Sequence, residues 1–303
     1  MAKSAGRGRG RALLFASAVF FGLAAMLAKL AGNAGMTGAQ TTLVRFSLGL
    51  AAAVAVLRLR RGGLRPVRLG LLATRGLFGG ISALLYYISL THIPAGEATL
   101  LNNLFAIFAV IFSLFALRER PTVHLALALA LASTGVFLVL GGGVLRFSVG
   151  PWEVVAIASA AAGGVAVTAI RALRSSVNAL TIFSSFAVGG ILVSLPFAGG
   201  PWPGGPAAWG AALAAGLAAF LAQIAMTEAY GALSIPEAAV WQQLTPIASY
   251  LWALLLGERF GGTTALGVLL GVGGVAYGSL LGHRPGAAAP SAARIPVLPA
   301  EEP

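Results

Sequence analysis

The sequence predicts an all-α integral membrane protein of ten transmembrane helices, arranged as two inverted five-helix repeats. Three observations predict it: charge is scarce, apolar runs of spanning length recur, and short motifs repeat about 140 residues apart. The 303 residues are 58% hydrophobic and 9% charged, with mean hydropathy +0.90. Soluble domains carry about 25% charged residues. A chain this poor in charge has lipid as the solvent for most of its surface.

Ten apolar runs follow one another at 12–31, 38–57, 69–90, 95–117, 123–141, 151–170, 179–198, 207–230, 236–256 and 263–281. A span needs about 20 predominantly apolar residues. The first run meets that length and is read as an uncleaved helix rather than a signal peptide. Connections are short and tipped by glycine and proline, as in Gly199-Gly200-Pro201-Trp202-Pro203. The organisation expected is a basic N-terminus at 1–11, repeats at 12–144 and 150–282, and a disordered Ala- and Pro-rich tail at 283–303.

The net charge of +12 does not indicate nucleic acid, because the basic residues flank apolar runs and share no polar face. They are read as topology signals and anionic-lipid contacts. With the N-terminus inside, 15 of the 20 Lys and Arg fall on one side, from Lys3 through Arg58, Arg118 and Arg171 to Arg294. Both termini are therefore expected in the cytoplasm, in a bacterial inner membrane.

Enzymatic chemistry is not expected. The chain has no Cys and no Asp, and His92, His124 and His283 are scattered. No metal-ligand spacing, Ser-His pairing or phosphate-binding glycine loop occurs, so neither a metal nor a cofactor is expected.

The repeat is legible in two places. Ile93-Pro94 through Asn102-Asn103-Leu104 echoes Ile235-Pro236 through Gln242-Gln243-Leu244, and Leu117-Arg118-Glu119-Arg120 echoes Leu256-Gly257-Glu258-Arg259. Five helices per half is an odd number, so the second half enters the membrane from the opposite side. Inverted duplication favours alternating access around a midplane site.

These motifs, with Lys29 ending the first run and Leu43-Val44-Arg45-Phe46 in the second, resemble the drug/metabolite transporter superfamily, in its ten-helix branch of two EamA-type domains. The resemblance spans about residues 11–281. It implies a secondary transporter with a central cavity lined by helices 3, 4, 8 and 9, helped by 1 and 6, with 5 and 10 peripheral. It also implies a small-molecule substrate. Two departures stand out. Pro246 has Ala106 as its counterpart, so a kink is expected in the ninth run alone. The first run holds no carboxylate, so the proton mechanism of the small four-helix relatives does not carry over.

Polar side chains inside spans are the candidate substrate ligands. Arg75, Ser82 and Tyr86 share one helical face of the third run, with Gly79 between them. Arg75 lies about 9 Å from the helix start at 1.5 Å per residue, and either lines a cavity or snorkels to the headgroups. Asn102 and Asn103 in the fourth run, Gln223, Thr227 and Tyr230 in the eighth, and Trp241, Gln242 and Thr245 in the ninth complete the set. Ser249 and Trp252 extend the last stripe. Each has a packing or interhelical hydrogen-bonding alternative.

Glu228, Arg45, Glu97 and Glu237 are candidates for ion pairing or coupling, with Glu228 a possible partner of Arg75. Glu97 and Glu237 also suit the first turns of their helices, where the macrodipole favours negative charge. The excess of intramembrane Arg suggests an amino acid or a related anionic or zwitterionic metabolite, moved outward. Tyr86, Trp241 and Trp252 would equally suit a vitamin, nucleobase or drug. A non-transporting scaffold is the distant alternative. Gly267, Gly271, Gly274 and Gly278 form a smooth face on the tenth run, for packing within the bundle or a homodimer seam.

Overall fold

The computed structural model describes residues 2–59, 63–64, 66–89, 92–93, 95–141, 150–254 and 262–282. They form twelve α-helices. The first half holds α1 (Ala2–Asn33), α2 (Gly38–Leu59), α3 (Leu69–Ser89), α4 (Ala95–Asn103), α5 (Phe105–Ala116) and α6 (Val123–Gly141). The second holds α7 (Pro151–Leu173), α8 (Ala179–Ser194), α9 (Pro206–Ala229), α10 (Ile235–Gln242), α11 (Leu244–Leu254) and α12 (Gly262–Leu281). Eight helices among the described residues are long and apolar enough to cross a membrane, with α4 and α5 crossing as one. The shorter apolar helix α6 and the pair α10–α11 complete ten spans.

Large apolar side chains point outward over the whole surface, among them Leu59, Phe115, Leu192, Leu269 and Leu280. Water would penalise each of them and lipid does not. The basic residues Arg7 and Arg11 are part of α1, which begins at Ala2. The tail 283–303 and the Glu258-Arg259 turn lie outside the described residues.

Packing follows the repeat. Exchanging the halves maps α1 on α7, α2 on α8, α3 on α9, and α4, α5 and α6 on α10, α11 and α12. Under that exchange α1 against α9 becomes α7 against α3, and α1 against α11 becomes α7 against α5. Likewise α2 against α9 becomes α8 against α3, while α2–α8 and α6–α12 map on themselves. Two self-matching contacts mark the axis. Phe46 meets Phe186 edge-to-face at 4.7 Å between ring centroids, and Asn103 Nδ2 donates to Gln243 Oε1 at 2.6 Å. Both pairs join residues 140 apart, the spacing of the repeat.

Both halves carry a broken helix, which corrects the expectation of a kink in the ninth run alone. Leu104 N–H bonds to Leu101 O and Gln243 N–H to Val240 O, each a tightened i to i−3 turn. Pro246 sits in the first turn of α11, and its ring excludes the carbonyl of Gln242 four residues earlier, where α10 ends; the first half breaks with Ala106 at the matching position. The feature common to both breaks is a pair of amide residues, Asn102-Asn103 and Gln242-Gln243.

The glycine face of α12 is filled by α6 of the same chain. A Cβ on Gly267 would lie 2.7 Å from the Gly135 carbonyl oxygen, and one on Gly274 would lie 2.7 Å from the Ala132 nitrogen. These glycines therefore serve backbone-to-backbone packing, and the face is not available as a homodimer seam.

One end of the bundle carries the arginines of α1, of the turn after α5 and of α7; it is called the basic end below. Its interior is densely apolar, with Leu14, Ile170, Leu173, Leu233 and Ile235 each 0% exposed.

Candidate functional site

Between the two halves lies a cavity of about 180 Å³. It extends from mid-bundle toward the end opposite the basic one. Its wall comes from both halves and includes the broken helices, because the two breaks turn amide side chains inward at mid-depth.

Of the candidate ligands, Arg75, Ser82, Tyr86, Asn102, Asn103, Gln223, Gln242 and Thr245 line this cavity, as do Arg45 and Ser249. Arg75 is 3% exposed, with its guanidinium carbon 3.7 Å from the centroid of the Phe186 ring. That contact is cation–π. Gly79, one turn further on, makes room: a Cβ there would lie 2.6 Å from Arg75 Nη1. Arg75 therefore does not snorkel to the headgroups.

The lining divides into satisfied and unsatisfied groups. Asn102 Nδ2 donates to Ser159 Oγ at 2.7 Å, and that hydroxyl donates to Ser82 O at 2.8 Å. The Tyr86 hydroxyl pairs with Thr99 Oγ1 at 3.0 Å. These bonds hold α3, α4 and α7 in register. In contrast, Arg75 Nε, Gln223 Nε2 and Thr245 Oγ1 are buried with no protein partner, and the Gln242 amide faces the Tyr230 hydroxyl. Together these groups form a donor-rich surface around one cavity. Buried polar groups are normally paired, so this surface is suited to an occupant that accepts hydrogen bonds.

Three candidates lie elsewhere. Thr227 is fully buried and donates to Gln223 O at 2.7 Å, a bond internal to α9. Tyr230 follows the last turn of α9, with its ring in the apolar core of the basic end and its hydroxyl behind the wall, against Gln242 and within electrostatic reach of Arg75. Trp241 packs among Leu125, Val240 and Tyr277 on the α6–α12 side of the bundle. On α10, Trp241 and the cavity-lining Gln242 are adjacent residues about 100° apart around the helix, and an error of that size separates wall from packing. Trp252 Nε1 donates to Val19 O at 3.1 Å and fastens α11 to α1.

Glu119, Glu228 and Glu237 form a belt at the basic end instead of meeting the cavity. Glu228 Oε2 pairs with Arg174 at 2.8 Å, not with Arg75. Glu237 is 4% exposed and takes Arg11 at 2.8 Å and Arg7 at 3.1 Å. The side chain of Glu97 lies outside the described residues. Glu119, 7% exposed, accepts Arg171 Nε at 2.8 Å and the backbone N–H of Ile235 at 2.7 Å. It thus joins the first-half helix α5 to the N-terminus of α10, where the helix dipole favours an anion. The sequence showed Glu119 only as part of a repeated motif, and this bridge was not legible in it.

Phe186 is the cavity residue most clearly missed. A signal existed: Arg45-Phe46 and Ser185-Phe186 stand 140 apart, like the broken-helix amides. Arg45 and Phe186 also show that helices two and seven contribute to the wall, beyond those the resemblance implied.

The sequence profile of the EamA-like transporter family matches residues 8–141 and again 150–279. The pseudopaline exporter CntI of Pseudomonas aeruginosa, in strains UCBPP-PA14 and PAO1, is 27% identical over 241 residues, covering 77% of this chain and 84% of the exporter. A crystal structure with 23% sequence identity superposes with a TM-score of 0.77, over 90% of this chain and 97% of the other. That likeness is one of fold.

Proposed function

Because the chain belongs to the EamA-like transporter family, we propose that it is a secondary transporter exporting a small amino acid or related anionic or zwitterionic metabolite by alternating access. The observation that carries this reading is the cavity on the repeat axis, with Arg75 buried in its wall and no carboxylate beside it among the described lining residues. A cation held in the membrane interior is costly unless an anion or water accompanies it.

The Lys and Arg asymmetry assigns the basic end to the cytoplasm of a bacterial inner membrane. The conformer described is closed on that side by the apolar core and by the Glu119, Glu228 and Glu237 ion pairs. The inverted repeat supplies the opposite conformer, in which the halves exchange roles. Likeness to the pseudopaline exporter supports metabolite export. A ring-bearing vitamin, nucleobase or drug is the second reading, favoured by Phe21, Tyr87 and Phe105 in the lining.

The test is flux in proteoliposomes loaded with labelled amino acids and organic acids. Counterflow above protein-free vesicles is expected for at least one acid. Folded protein that moves none of a broad metabolite panel would sink the proposal and favour the scaffold alternative.

A further inference from the structure

Arg45 and Arg75 line one cavity, and no glutamate or histidine lines it among the described residues. Neither arginine takes part in the ion pairs of the basic end, where Glu119, Glu228 and Glu237 are held by Arg171, Arg174, Arg7 and Arg11. Arginine keeps its charge in almost any surroundings. The cavity therefore holds two like charges in a medium that screens poorly, an arrangement that repels itself when empty. A single acidic group would neutralise half of it.

The two arginines enter from opposite ends. Arg75 is six residues into α3 from the basic end, and Arg45 seven residues into α2 from the other. At 1.5 Å per residue in spans of about 30 Å, their Cα levels stand roughly 10 Å apart. Long side chains from the two levels can grip the two ends of one short molecule. At the Arg75 end, Gln223 and Thr245 add donors without protein partners and Gln242 adds an amide that Tyr230 also reaches, and a carboxylate offers about four acceptor positions. The cavity of about 180 Å³ is below the 300–1,000 Å³ usual for drug-sized ligands.

We propose that the substrate is a small diacid: one acidic group rests on Arg75 with the Gln223 and Gln242 amides, and the second on Arg45. This rests on the transporter reading above and narrows it. Arg45 is then the specificity-determining residue, since it meets the group that separates a diacid from its monoacid counterpart.

The test uses the full-length purified protein and probe pairs differing by one acidic group: L-glutamate and L-glutamine, L-aspartate and L-asparagine, succinate and butyrate. Thermal unfolding is followed against probe concentration. At least one diacid is expected to raise Tm at concentrations at least tenfold below its partner. Arg45→Gln should erase that preference, Arg45→Lys should retain most of it, and Arg75→Gln should abolish the response to both members. Equal responses within every pair, no response to any diacid, or a preference intact in Arg45→Gln would each overturn the proposal. Flux of a neutral or monoacidic metabolite through wild-type liposomes would then leave the transporter reading standing. Absence of flux for every compound counts against both.

Discussion

Arg75 sets the residue-scale chemistry. Its guanidinium has Phe186 as a neighbour and no carboxylate, so the folded empty protein bears an uncompensated charge. Replacing it with a neutral residue should stabilise the fold and impair its use. Arg75→Gln is expected to raise Tm, through a gain on the order of 1 kcal/mol or more, while flux falls at least tenfold, or about 1.4 kcal/mol. Thermal unfolding and proteoliposome flux on one preparation check both signs. A variant less stable than wild type would show that the charge has a compensating partner. Sequence reasoning reached Arg75 because a cation inside a span is rare. It misplaced the partner, since Glu228 and Arg75 approach the same depth on different helices and only packing decides whether they face each other.

Among elements, the broken helices matter most. Asn103 and Gln243 bond across the axis at the turns separating α4 from α5 and α10 from α11. Replacing either by Ala should leave the other amide buried without its partner, at a cost of about 1–3 kcal/mol. The double variant should cost less than the sum, with a coupling of roughly 0.5–3 kcal/mol in a double-mutant cycle on thermal or denaturant stability. Additive losses would mean the two turns are held independently. The break in the fourth run was not legible because no proline marks it. Asn102 and Asn103 there bond to residues 57 and 140 positions away, which local sequence does not display. The glycine face of α12 was legible as a close-packing face, but its partner α6 was not, because any smooth face accepts another.

At the scale of the whole molecule, Glu119 links the halves. Its carboxylate holds Arg171 on α7 and the first N–H of α10, while Arg171 also donates to Tyr230 O at 2.9 Å. In the proposed alternating access, opening the basic end requires these contacts to part. Breaking a buried ion pair by removing one partner costs about 3–5 kcal/mol, so Glu119→Gln should shift the population toward the conformer open at that end. The chain has no cysteine, so Leu233→Cys, at a position 0% exposed, gives a single reporter. Maleimide labelling should be at least tenfold faster with Glu119→Gln than without it. Equal rates would show that Glu119 fastens the fold without gating it.

The sequence by itself determined the solvent, the number of spans, the inverted duplication and, apart from the start of the first helix, the bounds of the spans to within a few residues. Those properties depend on hydropathy, length and local motif order, all of which act along the chain. It also marked most of the polar side chains in the cavity wall, because polar side chains in an apolar span have few places to go. Only the tertiary structure decided which carboxylate meets which arginine, that both halves break at paired amides, and that Phe186 lies under Arg75. Those facts depend on rotations of about 100° between neighbouring positions of a helix and on contacts between residues about 140 apart, which are fixed when the two halves pack.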